Sequence, residues 1–129
     1  MILDSSSLIA ILSKEAGWEK LATALNLADR VLISAGTYLE ASIVIGSRNA
    51  QMSLDLDALL EEFNVIVEPF TVGQAVIARR AYRDYGRGSG HAANLNFGDC
   101  FAYALARDKR ESLLYKGDDF RHTDLRSAV

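Results

Sequence analysis

MILDSSSLIAIL, residues 1–12, sets an aspartate between a minimal apolar run, Ile2 and Leu3, and a stretch in which Leu8, Ile9, Ile11 and Leu12 follow a serine-rich turn. Periodicity reads this as a short strand, a polar turn and an amphipathic helix, the opening of a βα unit. Asp4 stands where the strand gives way to the turn. Working outward, Trp18, Leu21, Ala22 and Leu25 recur at helical spacing up to Asp29 and Arg30, and residues 31–33 (Val, Leu, Ile) make a second strand. Residues 34–37 read as a helix entry, Leu39, Ile43 and Val44 as the apolar stripe of a helix carrying Glu40, and residues 46–49 as its close.

Leu56, Leu59, Leu60 and Phe63 repeat at i, i+3, i+4 and i+7, a firm amphipathic-helix pattern within residues 51–63. Residues 65–67 form the third strand, ended by Pro69, and Thr71 caps a helix running to about Tyr85. Gly86, Gly88 and Gly90 alternate with Arg87, Ser89 and His91 in a loop expected to be exposed and mobile, and a new helix starts near Phe97. Residues 113–115 supply a fourth strand before the turn of Gly117, Asp118, Asp119 and Phe120. Strands alternating with helices predict parallel βα units in a three-layer α/β/α sandwich with a central, mostly parallel sheet. No internal repeat or linker divides residues 1–129, so a single domain is expected.

Half of the 129 residues are hydrophobic, enough for a sheet covered by helices. No apolar run reaches the roughly 18 residues that a membrane span needs, and the N-terminus lacks the pattern of a cleavable signal, so a cytoplasmic protein without membrane association is expected. Cys100 is the single cysteine, which excludes an internal disulfide, and no Cys/His array has zinc spacing. A net charge of -3, from 14 Lys+Arg against 17 Asp+Glu, argues against coating nucleic acid by bulk electrostatics. It leaves room for an anionic pocket beside a basic rim.

Parallel sheets bind ligands beyond the carboxyl ends of their strands. Asp4 and Asp118 follow strands one and four, and Glu40 and Asp99 can reach the same edge from the starts of their helices. Each has a simpler reading: Asp4 as an N-cap, Asp99 as a partner for a helix dipole, Asp118 and Asp119 as turn residues. Glu40, on a markedly apolar helix, is the hardest to explain that way. Gathered together, such carboxylates repel unless a cation neutralises them. Oxygen donors suit a hard divalent ion, and magnesium takes one or two protein carboxylates while keeping sites for water and phosphate.

The segments MILDSSSLIAIL, ISAGTYLEASIVI (33–45), LNFGDCFAYALA (95–106) and LLYKGDDFRHTDL (113–125) resemble, in order and spacing, the successive motifs of PIN-domain ribonucleases, specifically the VapC toxins of bacterial VapBC toxin–antitoxin modules. The resemblance spans essentially the whole chain. It implies a PIN-like fold and endonucleolytic RNA cleavage dependent on Mg2+, with Mn2+ as substitute, and a tRNA or another structured RNA as target. Asp4 and Asp99 match the main metal ligands and Glu40 the central glutamate. Asp118 is chosen as the fourth acid, with the adjacent Asp119 able to exchange roles by a one-residue shift of the turn. Ser6 matches a hydroxyl residue that bonds metal-bound water or a neighbouring carboxylate.

The same resemblance implies a cognate VapB antitoxin, whose inserted arginine would neutralise the acids, together with a homodimer and a toxin–antitoxin hetero-oligomer. Arg79, Arg83 and Arg87, with Arg80, His91 and Asn94, are candidates for RNA backbone contacts, and a solvated helix face explains at least half of them equally well. Tyr82 and Tyr85 are candidates for base stacking, with core packing as the competing role. Lys116 either steadies a phosphate or pairs with an acid. The rival function for the same acids is a metal-dependent phosphatase or receiver-like signalling domain.

Overall fold

The computed structural model describes residues 1–129. In chain order the elements are β1 (Ile2–Leu3), α1 (Ser5–Leu12), α2 (Trp18–Leu27), β2 (Leu32–Ser34), α3 (Ala35–Arg48), α4 (Ala50–Glu62), β3 (Ile66–Glu68), α5 (Val72–Tyr85), α6 (Asp99–Lys109) and β4 (Leu113–Leu114), then a 3₁₀ turn at Phe120–His122. All pairings are parallel and the strand order is β3-β2-β1-β4. No helix is long and apolar enough to cross a membrane.

Side-chain alternation along the strands builds the three layers. Leu3, Ile33 and Leu114 are neighbours in register and pack on one face with Leu8, Leu25, Ile45 and Leu56 from the α1–α4 layer. Ile2, Leu32 and Leu113, one residue earlier in each strand, pack on the other face with Ala81, Leu95, Ala102 and Leu105 beside α5 and α6. A one-residue slip in any strand would exchange these two sets. The expected α/β/α sandwich is the fold observed.

Local chemistry shifts the strand limits by a residue. Ser34 closes β2 and caps α3, its hydroxyl accepting from Gly36 N at 3.3 Å. The strand expected from Val65 starts at Ile66, because Val65 N donates to Leu60 O and Asn64 N to Glu61 O with Asn64 at φ +48°. That pair of bonds is the left-handed close of α4, so the Val65 amide belongs to the helix end. The loop after α5 is also firmer than expected. Leu95 N donates to Tyr85 O and Arg87 N to Leu95 O, both at 2.9 Å, and Ala93 and Leu95 are fully buried. Arg87 to Ala92 and Asn94 are exposed, as expected for this loop. The C-terminal segment covers the outer edge of β4, with Leu113 N donating to Arg126 O at 3.0 Å and Ala128 N to Leu113 O at 2.9 Å.

Candidate active site

The order β3-β2-β1-β4 means that strands are added on one side of β1 and then, with β4, on the other. The carboxyl ends of β1 and β4 therefore flank a switch point, where parallel sheets leave a crevice. Asp4 is the first residue beyond β1, and its amide is fixed by Leu114 O at 3.0 Å. The residue serves as the N-cap of α1 while being 2 % exposed. Its Oδ2 accepts from Ser6 N at 3.0 Å and from Ser6 Oγ at 2.5 Å. Ser6 Oγ in turn accepts from Lys116 N at 3.0 Å, tying the turn after β1 to the exit of β4. Asp4 Oδ1 is buried with no partner. One oxygen of this carboxylate is saturated and the other is free to bind.

Glu40 arrives from the second turn of α3. Ser5 Oγ donates to Glu40 Oε1, and Glu40 Oε2 lies against the backbone of Gly98, where a Cβ would collide with it. Gly36 makes the same accommodation one turn earlier, its missing Cβ leaving room for the Phe101 ring. Two glycines thus let α3 and the start of α6 approach closely enough for Glu40 to face Asp99.

Asp99 opens α6 and is 8 % exposed. Asn96 N donates to Asp99 Oδ2 at 2.8 Å, and Asp99 N donates to Asn96 Oδ1 at 2.9 Å. This reciprocal pair is a capping box. It orients the carboxylate as a by-product of starting the helix.

Electrostatics shows which acids sense one another. Burial pushes the Asp4 carboxyl up to about 6, with the charge of Glu40 adding to the rise and the bonds from Ser6 opposing it. Burial likewise pushes Asp99 up to about 7, and the charges of Asp4, Asp119 and Glu40 add to it. Asp118 is not among these neighbours. Its side chain is 77 % exposed and pairs with Arg121 at 3.3 Å. No three of these side chains are placed to hold a metal ion together, and the mark of the site is a single orphaned oxygen, Asp4 Oδ1, among acids that feel one another's charge.

The remaining sequence candidates divide. Arg79 and Tyr82 line a hollow with Phe97 and Cys100 that none of the four acids borders. Arg83 is paired with Asp84 at 2.9 Å, and Arg87 is exposed at the loop tip. Tyr85 packs against Tyr103 and His91, whose Nδ1 accepts from Ala93 N at 3.1 Å, so both have structural roles. Asn94 holds a left-handed turn at φ +48°. Lys116 pairs with Glu15 at 3.0 Å. Sequence reasoning missed Ser5, Asn96 and Gly98. The N-x-x-D spacing of Asn96 and Asp99 is the signal that could have exposed the cap.

The PIN domain family matches residues 1–125. Ribonuclease VapC28 of Mycobacterium tuberculosis is 53% identical over 130 residues, spanning 100% of this chain and 98% of that protein. Ribonuclease VapC42 of the same organism is 45% identical over 129 residues, spanning 99% and 98%. Among solved structures, the sarcin-ricin loop cleaving toxin VapC20 of M. tuberculosis superposes with a TM-score of 0.75 at 17% identity, covering 96% of this chain and 95% of that one. VapBC2 of Rickettsia felis bound to a promoter DNA fragment gives a TM-score of 0.69 at 13% identity, covering 98% and 95%. With a full-length family match and close relatives along its whole length, the chain belongs to the PIN-domain family, among its VapC ribonuclease toxins.

Proposed function

We propose that this chain is a Mg2+-dependent endoribonuclease, with Mn2+ as a substitute, that acts as a toxin held in check by a VapB-type antitoxin. The observation that carries the metal reading is Asp4 Oδ1, a buried carboxylate oxygen without a partner, in a carboxylate that feels the charge of Glu40 and in turn acts on Asp99. Leaving such an atom unsatisfied is costly, and a hard cation is the ligand that satisfies it. Asp4 and Asp99 would hold the ion. When bound, the ion supplies charge neutralisation at the scissile phosphate and eases deprotonation of the attacking water.

The protein groups have distinct tasks. Ser6 saturates Asp4 Oδ2 and so directs Oδ1 into the site. Asn96 fixes Asp99 Oδ2 and leaves its second oxygen for the ion. Glu40, held by Ser5 and seated against Gly98, orients the water. Asp119 is assigned as the fourth acid in place of Asp118, since its charge acts on Asp99 while Asp118 is engaged by Arg121.

Structured RNA, with tRNA as the first candidate, is the proposed substrate class, and Arg79, in a hollow that shares Phe97 with the groove beside Glu40, is a basic side chain offered to its backbone. A VapB segment is the proposed inhibitor, consistent with structural relatives solved as toxin–antitoxin assemblies. Exposed Leu39, Ile43 and Phe97 next to Glu40 line an apolar groove suited to such a segment. An arginine from it would pair with the acids bidentately. A homodimer fits the same family pattern.

The deciding experiment compares purified wild type, Asp4→Ala and Asp99→Ala on cellular RNA with Mg2+ and with chelator, mapping the RNA ends by sequencing. Discrete metal-dependent cuts by wild type alone are expected. Equal cutting by either variant would remove the reading.

A further inference from the structure

We infer that an arginine-lined track over the α5 and α6 layer is a second docking surface for a base-paired arm of the RNA substrate, which rests on the ribonuclease reading above. Three depressions in this layer share residues and so run into one another. Arg79, Arg80 and Arg83 line one of about 480 Å³. Arg80 also borders the next, of about 310 Å³, which reaches Arg107. Arg107 and Asp124 then border a third, of about 190 Å³, which ends at Arg110 and Arg126.

The near end leads toward the site, because Arg79 shares a hollow with Phe97, which also borders the groove lined by Glu40. The far end is remote. Arg110 follows the last turn of α6, an 11-residue helix that begins at Asp99 and so measures about 16 Å. A ligand touching both ends must be a polymer or a large body.

Charge on this face is uneven in a way that favours a polyanion. Its acids are already committed: Asp84 to Arg83, Asp124 to Arg107 and to the Tyr103 hydroxyl, and Glu111 to Arg30 and the N-terminal ammonium. Arg79, Arg80, Arg110 and Arg126 have no carboxylate partner. The dipole of α6 accounts for Arg107 in its last turn. It does not account for Arg80, which belongs to α5, or for Arg126, which is held on the edge of β4. Separate segments therefore converge on one track, whereas the protein as a whole carries a net charge of -3.

The track is suited to backbones and not to bases. Recognition of unpaired bases uses exposed aromatic faces. Tyr85 and Tyr103, the aromatics of these depressions, pack on each other, and Tyr103 OH is tied to Asp124 at 2.7 Å. Guanidiniums without stacking partners read phosphates, so the fitting ligand is a helical RNA arm recognised by shape.

The test uses Arg110→Gln/Arg126→Gln, in which glutamine leaves the left-handed backbone of residue 110 with a non-glycine side chain as before. Binding of a tRNA pool and of a short single-stranded oligonucleotide is followed by fluorescence anisotropy over a salt series, alongside cleavage of both. Roughly tenfold weaker tRNA binding is expected, with a salt slope shallower by about two units, from about 0.9 per phosphate contact, and no change for the oligonucleotide. Arg110→Lys/Arg126→Lys should restore the slope. Unchanged tRNA affinity and slope would overturn the proposal, as would equal loss on both RNAs. Loss of co-purified antitoxin with tRNA binding intact would assign the track to the partner and overturn it too. Wild type that binds tRNA through this track yet cuts no RNA would sink the ribonuclease reading alone.

Discussion

The two oxygens of Asp4 carry different loads, and that asymmetry has a measurable cost. Their carboxyl is pushed up to about 6, and that of Asp99 to about 7, against about 4 in an unfolded chain. The native state therefore holds these protons more tightly. Each group contributes stability that is complete below about pH 4 and is lost as pH rises through its folded value. For Asp4 the shift corresponds to about 3 kcal/mol at most. Urea unfolding of metal-free protein should show higher stability at pH 5 than at pH 8, and Asp4→Asn should flatten that profile. Stability that instead rises with pH for the wild type would contradict the upward shift of these two carboxyls by burial.

Gly98 is a second residue-scale lever. A methyl group there would meet Glu40 Oε2, the mobile end of a side chain and not a rigid backbone. Gly98→Ala should therefore displace the glutamate while sparing the fold. A misplacement of this kind costs about a hundredfold in rate. Turnover should fall on that scale while the circular dichroism spectrum and thermal midpoint stay close to wild type. Retained turnover would mean that the seat of Glu40 does not matter to the chemistry.

At the scale of elements, the start of α6 joins folding to the proposed site, since one pair of hydrogen bonds both brackets the first turn and orients Asp99. Asn96→Ala removes the acceptor for the Asp99 amide. It should lower stability by about 1 kcal/mol in urea titrations, and Asn96→Asp should recover most of it. No loss with alanine would show that the cap is dispensable. The elements also explain what could be read in advance. Short apolar runs and helical periodicity, which depend on near neighbours, located the strands, the helices and the sheet edge to which Asp4 and Asp99 belong. Partners distant in sequence were opaque. The C-terminal segment lies along β4 through backbone bonds that leave no pattern in side chains. Asp118 and Asp119 are chemically identical neighbours, separated only by a turn whose rotation is set by burial of Phe120 against Tyr115. The glycine-rich loop read as mobile because Ala93 and Leu95, the residues that pin it, are isolated apolar positions without periodicity.

For the whole molecule, the acids at one sheet edge and the arginines over one helical layer are opposed features of a chain that is nearly balanced in charge. The acidic end destabilises the fold unless something neutralises it, so a divalent ion should act as a stabiliser of the entire domain. A ligand at a hundred times its dissociation constant adds about 2.7 kcal/mol, which for a domain of this size raises the thermal midpoint by roughly 5 to 15 °C. Mg2+ or Mn2+ should produce such a rise at pH 8, where the carboxylates are ionised, and a much smaller one at pH 5, where protons occupy the same oxygens. Asp4→Asn should lose most of the rise at pH 8 while starting from a higher metal-free midpoint, because it lacks the repulsion that the ion relieves. A rise in Asp4→Asn equal to that of wild type, or one larger at pH 5 than at pH 8, would place the ion elsewhere on the protein and detach the acidic edge from metal chemistry.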